Sequence, residues 1–337
     1  MMPARAQWVD YARGIGIVLV VYGHVARGVH SAGLPIDEGW FRLVDSVIYS
    51  FHMPLFFFLS GLYFLASMQR HGAGGLLVEK LRTVAWPYLV WSVLQGLTEV
   101  LLASATNATN GKVTLAEVAS LLWQPRAQFW FLYALFFMSL AALPFYRFLS
   151  ARWYRFVTIA ACLAFLGAAY LPGGIPVTYL IQNGPYFTLG VLLGHVVGAQ
   201  RPLPLSGPPA AAGLAIAVGF QWLFHGPLAL SYAQGGGLLL ALAMTTVLAV
   251  VLLCMWLERF NLAWLAALGR ASLAIYVMHI LAGSGVRIVL QKLLAIDAVI
   301  VHLVLGTLLG IGLPLLVNRL MERHGLGCLL AWPRRHG

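Results

Sequence analysis

The stretch DYARGIGIVLVVYGHVARG, residues 10–28, places two ionisable side chains, Arg13 and His24, in one long apolar run. An α-helix rises about 1.5 Å per residue and completes a turn every ~3.6 residues. Arg13 and His24 would therefore share one helix face, roughly 16 Å apart along its axis. Because an ionisable group inside a membrane costs a few kcal/mol, it usually faces the protein interior and marks a functional path. The stretch predicts a transmembrane helix with a functional polar face.

The composition of the whole chain is that of an integral membrane protein. Of its 337 residues, 61% are hydrophobic and 9% are charged, and the mean hydropathy is +0.85, whereas soluble domains are about a quarter charged. The net charge of +11 does not indicate nucleic-acid binding, because basic residues at the cytoplasmic ends of helices produce the same total. Three scattered cysteines suggest neither a disulfide framework nor a zinc site.

Segments of about 20 apolar residues, the length that crosses a bilayer, predict an all-α polytopic protein with about ten transmembrane helices. We expect these spans near residues 11–30, 44–67, 83–104, 128–148, 154–171, 178–198, 209–229, 236–257, 268–290 and 296–318. With the N-terminus inside, most of the 21 Lys and Arg residues lie at inner helix ends, in agreement with the positive-inside rule. We therefore expect both termini in the cytoplasm, in a multi-pass protein of a bacterial inner membrane.

The connections between spans suggest one transmembrane domain, residues 1–337, with no separate soluble domain. The outer connection, residues 105–127, is polar at first and then predicts a short amphipathic helix, so that it could form part of a lid. The sequence Asn-Ala-Thr at 107–109 matches an N-glycosylation sequon, but we expect this match to be incidental and the asparagine to carry no glycan. The Pro-rich segment 199–209 is the expected hinge between a first unit of six spans and a last unit of four.

Two further histidines occur at a depth similar to that of His24. His52 is about thirteen residues from the inner end of the second span, and His279 is about ten residues from the inner start of the ninth. At about 1.5 Å per residue, the three imidazoles come out near one level. One intramembrane histidine alone could equally make a structural hydrogen bond between helices. Three at one level predict a polar centre near the middle of the bilayer.

Such a centre could serve metal binding, proton transport or acid/base chemistry. No carboxylate close to the three histidines supports a metal site, so we expect no metal. Proton transport usually adds carboxylates in the middle of spans, and Asp10, Asp45 and Glu99 all fall near span ends. An imidazole has a reference pKa of about 6.5, which suits a general base at neutral pH. Chemistry is therefore the simplest interpretation.

Guanidinium groups collect at the inner ends of the spans that carry these histidines. Arg13, Arg82 and Arg270 lie there, and Lys80 is close to Arg82. Taken singly, a residue such as Arg82 is more simply a positive-inside anchor. Together the guanidinium groups could bind phosphates, for which their planar forks are well suited.

The polar residues of the ninth span share one face, because Ser272, Tyr276 and His279 are spaced i, i+4 and i+7. Tyr276 could border the polar centre, whereas Ser272 is more simply a helix-packing position. The pair Ser60-Gly61 of the second span likewise indicates close helix packing.

Aromatic residues begin the fourth span at the outer interface, where Trp130 and Tyr133 fit an ordinary aromatic belt. A more specific hypothesis is that these two rings stack against a sugar.

Taken in order, these segments resemble the acyltransferase-3 family of membrane acyltransferases. The resemblance rests on six motifs. They are D-x-x-R-G with R-x10-H (Asp10 to His24), F-F-x-L-S-G (Phe56 to Gly61), R-x4-P (Arg82 to Pro87), W-F-L (Trp130 to Leu132), Y-F-x-L-G (Tyr186 to Gly190) and L-G-x-x-S-x-x-x-Y-x-x-H (Leu268 to His279). The form FHMPLFFFLSG looks most like the branch of fucose 4-O-acetylase-like proteins and polysaccharide O-acyltransferases.

The resemblance implies transfer of an acyl group, commonly acetyl and in some members succinyl, from cytoplasmic acyl-CoA to a sugar hydroxyl of a surface or lipid-linked glycan. It implies that His24 is the essential histidine and Arg13 its partner on the donor side. Family members carry further polar groups in later helices, and the candidates here are His279 and Asn183. Direct transfer to the sugar and transfer through an acyl-histidine both fit these residues.

A second hypothesis is a transporter of a glycan or small anion, with histidines relaying protons and arginines attracting the anion. The lack of repeated halves and of carboxylates in mid-span counts against it. A membrane scaffold without chemistry would leave Arg13, His24, His52 and His279 buried without a reason. The sequence does not indicate an oligomeric state.

Overall fold

The computed structural model describes residues 6–106, 114–171, 173–198 and 206–333, and every regular element in these ranges is helical. The all-α prediction is confirmed. The α-helices are α1 (Gln7–Ser31), α2 (Glu38–Leu62), α3 (Phe64–Lys80), α4 (Trp86–Thr106), α5 (Leu115–Ala119), α6 (Trp130–Phe148), α7 (Tyr154–Leu166), α8 (Ile175–Leu193), α9 (Gly207–His225), α10 (Gly236–Leu257), α11 (Ala263–Arg270), α12 (Ser272–Ile288) and α13 (Val299–Arg323). Short 3-10 and π segments connect or extend several of them.

Within the described ranges, seven helices are long and apolar enough to cross a membrane. They are Gln7–Ser31, Glu38–Leu62, Leu115–Phe148, Gly207–His225, Gly236–Phe260, Ser272–Leu293 and Val299–Arg323. The chain is therefore a multi-pass membrane protein. The other three predicted spans correspond to α4, α7 and α8. Because α7 has only 13 residues, about 20 Å of helix, it falls short of a bilayer core of ~30 Å. The total of ten spans stays a prediction.

The chain divides into two compact units, and each is assembled from segments that are distant in sequence. The first unit holds residues up to Val20, Glu38–Ala73 and Ala141–Ser272, and the second holds Val21–Asp37, Gly74–Leu140 and everything from Leu273 onward. Residues 199–205 lie outside the described ranges, but both flanks of the predicted hinge belong to the first unit. The predicted division into six and four spans is therefore wrong, because helices on both sides of this loop pack within one unit.

In the first unit, α2 and α8 pack so closely that only glycine fits at the points of contact. A Cβ atom on Gly61 would overlap the carbonyl oxygen of Phe187, and one on Gly190 would overlap that of Phe58. Gly194 faces the carbonyl of Leu62 in the same way. Small residues let helix backbones approach one another in a membrane protein. The packing role predicted for Ser60-Gly61 is confirmed at Gly61.

A second close contact joins the start of α1 to α11, also within the first unit. A Cβ on Gly14 would lie 2.6 Å from the carbonyl oxygen of Leu265, and one on Gly269 would overlap the carbonyl oxygen of Asp10. The glycines of D-x-x-R-G and of L-G-x-x-S thus meet across one seam. This contact sets the position of the turn of α1 that carries Arg13.

In the second unit, the last part of α1 lies against α12 and α13. A Cβ on Gly306 would lie 2.7 Å from Cγ1 of Val25, and one on Gly310 would lie 2.8 Å from Cγ1 of Val21. On α12, a Cβ on Gly283 would lie 3.3 Å from Cγ2 of Val25. These glycines accommodate the valines of α1, and so they bring the turn that carries His24 close to both partner helices.

A buried polar network joins α4 to the segment before α6. The amides of Gln95 and Gln128 are 1% and 2% exposed, and Nε2 of Gln128 donates to Oε1 of Gln95 at 2.6 Å. Gln95 also donates to Glu99 at 2.8 Å, and Glu99 forms an ion pair with Arg126 at 2.8 Å. Nearby, the predicted short helix of the outer connection is present as α5, which begins at a capping box of Thr114 and Glu117. The sequon at 107–109 lies outside the described residues.

Candidate active site

His24 and His279 lie next to each other in the second unit. Their ring centroids are 5.1 Å apart, and the rings are tilted by 54°. His279 is 1% exposed, and its Nδ1 lies 2.7 Å from the carbonyl oxygen of Tyr276 and 3.3 Å from that of Ile275. A carbonyl oxygen only accepts, so Nδ1 must carry the hydrogen. In the neutral ring, Nε2 then holds the lone pair that a general base requires.

A small cavity borders this pair of histidines. It is lined by His24, Val25, Gly28 and Val29 of α1, by His279, Ile280, Gly283, Ser284 and Arg287 of α12, and by His302 of α13. The space open to the centre of a water molecule is about 20 Å³, which is enough for about one water molecule or one hydroxyl group. The cavity therefore admits about one oxygen atom beside the two imidazoles.

Tyr276 supports the arrangement from the same helix as His279. Its hydroxyl donates to the carbonyl oxygen of Gln128, and its ring packs edge-on against Phe131 at 5.6 Å. The rings of Tyr276 and His279 are 6.0 Å apart. Because Gln128 belongs to the buried amide network with Gln95, Tyr276 connects α12 to that network.

His52 lies in the first unit, where it is 1% exposed. Its Nδ1 donates to the carbonyl oxygen of Ile48 at 2.7 Å. The rings of His52 and Tyr49 pack edge to face, with their centroids 4.6 Å apart. The expectation that His52 shares one polar centre with His24 and His279 stays a prediction.

Arg13, also in the first unit, has a carboxylate and an aromatic ring beside it. Its Nη1 lies 3.9 Å from Oδ1 of Asp10, three residues earlier, and its Cζ lies 5.8 Å from the centroid of the Tyr63 ring. Asp10 is 4% exposed, whereas the Arg13 side chain is 28% exposed. The Asp and Arg of D-x-x-R-G thus form an ion pair on one turn of helix, with the guanidinium accessible from one side.

Arg82 lies in the second unit but not on the cavity of His24 and His279. It lies where residues 328–332 pack on α4. Its Nε and Nη2 both donate to the carbonyl oxygen of Trp332, at 2.9 and 2.7 Å, and Nη1 lies 3.6 Å from Glu79. The indoles of Trp86 and Trp91 donate to the carbonyl oxygens of Cys328 and Leu329. The C-terminal segment is therefore held by three side chains from around the start of α4.

Beside Arg82 is a pocket of about 650 Å³, within the range of ligand-binding clefts, roughly 300–1,000 Å³. It is lined by Val78, Leu81, Arg82, Ala85, Trp86, Leu89, Trp332 and Pro333. Lys80 ends α3 next to this stretch and is half-buried.

The other predicted binding residues are distributed over both units. Arg270 is exposed at the end of α11, and Asn183 is buried in α8, where its amide donates to the carbonyl oxygen of Tyr179 at 3.0 Å. In the second unit, Tyr133 is buried with its ring 5.7 Å from that of Tyr88. Trp130 is half-buried at the start of α6. Sugar binding by these residues stays a prediction.

Nowhere in the described ranges do three or more His, Cys, Asp or Glu side chains form a group that could hold a metal ion.

Sequence reasoning missed His302, Arg287 and the pair Gln95 and Gln128. His302 is 1% exposed and lies near the start of the last predicted span, where the depth comparison used for the other histidines would have found it. The sequence gives no comparable indication for the two glutamines. A glutamine in a helix is expected to be buried only if a hydrogen-bonding partner is known, and here each is the partner of the other.

Comparison with known proteins gives one family match and two relatives. A family model described as an acyltransferase domain matches residues 6–319. The nodulation protein NolL of Mesorhizobium japonicum is 26% identical over 196 residues, 57% of this chain and 48% of the relative. The nodulation protein NolL of Sinorhizobium fredii is 26% identical over 193 residues, 57% and 49% of the two chains. The chain thus spans about half the length of these curated relatives. No solved structure gives a significant match.

Proposed function

The chain belongs to the acyltransferase-3 family of membrane acyltransferases, and from that premise we propose that it transfers an acyl group from cytoplasmic acyl-CoA to a sugar hydroxyl. The donor is acetyl-CoA in the first instance, with succinyl-CoA as the second choice. The acceptor is a hydroxyl of an extracytoplasmic or lipid-linked glycan, and the site of action is the bacterial inner membrane.

One observation carries the proposal. The ring of His24 lies 5.1 Å from that of His279, and both border a cavity that admits about one oxygen atom. An imidazole next to a space of that size can take the proton of an alcohol as the alcohol attacks a thioester.

The acceptor oxygen bonds to the acyl carbonyl carbon, the bond between that carbon and the CoA sulfur breaks, and the hydroxyl proton passes through His24 to the departing thiolate. In the alternative route, a ring nitrogen of His24 attacks the acyl carbon and the CoA thiolate leaves. The acceptor oxygen then bonds to that carbon, the bond from the carbon to His24 breaks, and the hydroxyl proton passes through His279 to the thiolate. In both routes, His279, His52 and Tyr276 orient the reacting groups or stabilise developing charge.

The donor phosphates are assigned to Arg13, Arg82 and Arg270, with Lys80 beside them. Support for Arg82 comes from its position in the lining of a pocket of about 650 Å³, which the side chains of Trp86 and Trp332 also line. Support for Arg13 comes from its partly exposed guanidinium, which can fork onto a phosphate. On the acceptor side, Trp130, Tyr133 and Asn183 are the candidates for sugar contacts.

Purified protein incubated with labelled acetyl-CoA, or separately with succinyl-CoA, and a panel of free sugars tests the proposal. We expect labelled ester on a sugar hydroxyl together with free CoA in equal amount. Uptake of sugar or anion into vesicles without any acylated product would instead identify a transporter. A mass spectrum of surface glycans from cells with and without the gene would then identify the acyl group and the acceptor.

A further inference from the structure

A third histidine, His302 of α13, lies on the same cavity as His24 and His279, and the family motifs do not include it. Its Nε2 lies 2.7 Å from the carbonyl oxygen of Ile296. Because that oxygen can only accept, Nε2 carries the hydrogen and Nδ1 of the neutral ring holds the lone pair.

His279 and His302 each donate to a backbone carbonyl oxygen, but through different ring nitrogens. The first donates to a carbonyl through Nδ1, and the second donates through Nε2. The remaining nitrogens, Nε2 of His279 and Nδ1 of His302, are buried and have no hydrogen-bond partner within the described part of the chain. Both side chains are 1% exposed. A buried acceptor without a donor is costly, so two of them on one small cavity indicate a ligand that donates.

The size of the cavity restricts the donor. About 20 Å³ holds one oxygen atom with its hydrogen atoms and excludes a sugar ring. A water molecule has this size, and its two O–H hydrogens match the two acceptor nitrogens, whereas an alcohol hydroxyl has only one hydrogen to donate.

Two further polar side chains border the cavity. Ser284 and Arg287 extend the lining along the same face of α12. The Arg287 side chain also passes close to α1, because a Cβ on Gly28 would lie 3.9 Å from Nε of Arg287, an ordinary contact distance. The cavity therefore combines one cation, one hydroxyl and three imidazoles.

We propose that His302 is a further positioning residue of this site: its Nδ1 and Nε2 of His279 each accept one of the two O–H hydrogens of a single water molecule in this cavity. The inference rests on the proposed function for its catalytic meaning. It assigns α13 a direct part in the site, because α12 and α13 together then hold the water oxygen beside His24 of α1.

Two amide variants separate this role from a structural one. His302→Gln keeps a donor at the ε position for the carbonyl of Ile296 and loses the acceptor at the δ position, whereas His302→Asn does the reverse. We expect the kcat of His302→Gln to fall about tenfold or more, because one buried hydrogen bond is lost. We expect His302→Asn to retain more activity than His302→Gln. A structural role would give the opposite order, and that order would overturn the proposal.

The matched control is His225→Gln. His225 is a half-buried histidine at the end of the apolar helix α9, and both of its nitrogens have partners, Leu230 and Gln221. Its activity should equal that of the wild type, and thermal unfolding in detergent should confirm that all variants are folded.

Nitrogen NMR of purified protein with 15N-labelled histidine tests the inference without any turnover. His279 should show the Nδ1–H tautomer and His302 the Nε2–H tautomer, and the Nε2 resonance of His279 should shift in His302→Gln. An unshifted resonance would mean that no donor is shared, and it would overturn the inference. If wild-type protein transfers no acyl group, the proposed function fails, and this spectrum still decides the role of His302.

Discussion

At the scale of single residues, backbone carbonyl groups determine what the buried histidines can do. A carbonyl oxygen on one ring nitrogen leaves the other nitrogen as an acceptor, as at His279 and His302. The same logic applies to Nδ1 of His52, which donates to Ile48. The helix backbone thus sets the tautomer of each ring, a detail on which the direction of any proton transfer depends.

Replacing His24 by Ala should reduce acyl transfer by about 10²- to 10⁴-fold, the usual contribution of a general base, or more if His24 carries the acyl group. The change removes a half-buried side chain at a cavity, so the protein should still fold and insert. Esterified sugar per minute is the measurement, and His71→Ala, at an exposed position of α3, is the control. Wild-type rates in His24→Ala would refute the assignment of His24.

Replacing Arg13 by Lys should raise the KM for acyl-CoA about tenfold or more while the KM for the sugar stays constant. Lysine keeps the positive charge near Asp10 but cannot fork onto a phosphate, and a hydrogen bond to a charged group contributes about 1.5–3 kcal/mol. Arg42→Lys is the matched control, because Arg42 forms its ion pair with Glu38 at the surface. An unchanged KM for acyl-CoA in Arg13→Lys would remove Arg13 from the donor site.

At the scale of the elements, glycine seams determine which helices approach closely. The motif glycines Gly61 and Gly190 lie at one seam, and Gly14 and Gly269 lie at another. The family motifs therefore combine two kinds of residue, those that we propose for the chemistry and glycines that allow the helices carrying them to pack closely. In the second unit, Gly306 and Gly310 do the same for the turn that holds His24, although no motif includes them.

Gly61→Ala should lower the thermal stability of the protein in detergent, by an amount equivalent to about 1–3 kcal/mol. The new Cβ would overlap the carbonyl oxygen of Phe187, a backbone atom that cannot rotate away, so α2 and α8 must move apart. Gly219→Ala in α9 is the control.

A Cβ at Gly219 would have no described heavy atom within 4 Å apart from those of its two chain neighbours and the backbone of its own helix. Alanine there should leave stability unchanged or raise it by about 0.5–1 kcal/mol, because alanine is the better helix former. Equal melting temperatures for the two variants would contradict the steric account.

At the scale of the whole molecule, the number of spans determines the sides on which the two termini lie. The seven helices that satisfy length and hydropathy would place the termini on opposite sides of the membrane. Ten spans would place both on the cytoplasmic side. The difference matters for the proposed function, because the proposed donor in the cytoplasm and the proposed acceptor outside require the arginines and the aromatic residues to face opposite compartments.

We expect tags at the N- and C-termini to be digested together by protease added to inverted membrane vesicles, and both to be protected in right-side-out vesicles. An even number of spans and the positive-inside distribution of Lys and Arg both lead to this result. Protection of only one tag in each preparation would establish an odd number of spans.

The fold class, the family and the polar face of the first helix can all be predicted from local sequence patterns. Hydropathy and the spacing of polar residues identify an all-α membrane protein, because every backbone polar group in a bilayer must be satisfied within its own segment. Six ordered motifs identify the family, and the step from Arg13 to His24 identifies their common helix face.

Only the tertiary structure decided which groups meet. It paired His24 with His279, added His302, tied Tyr276 to Gln128 and joined Arg82 to a carbonyl group 250 residues away. These contacts bring together helices that are distant in the chain, and close packing at glycines sets their distances. Periodicity within one helix carries no information about its neighbour, so such contacts become visible only once the helices are packed.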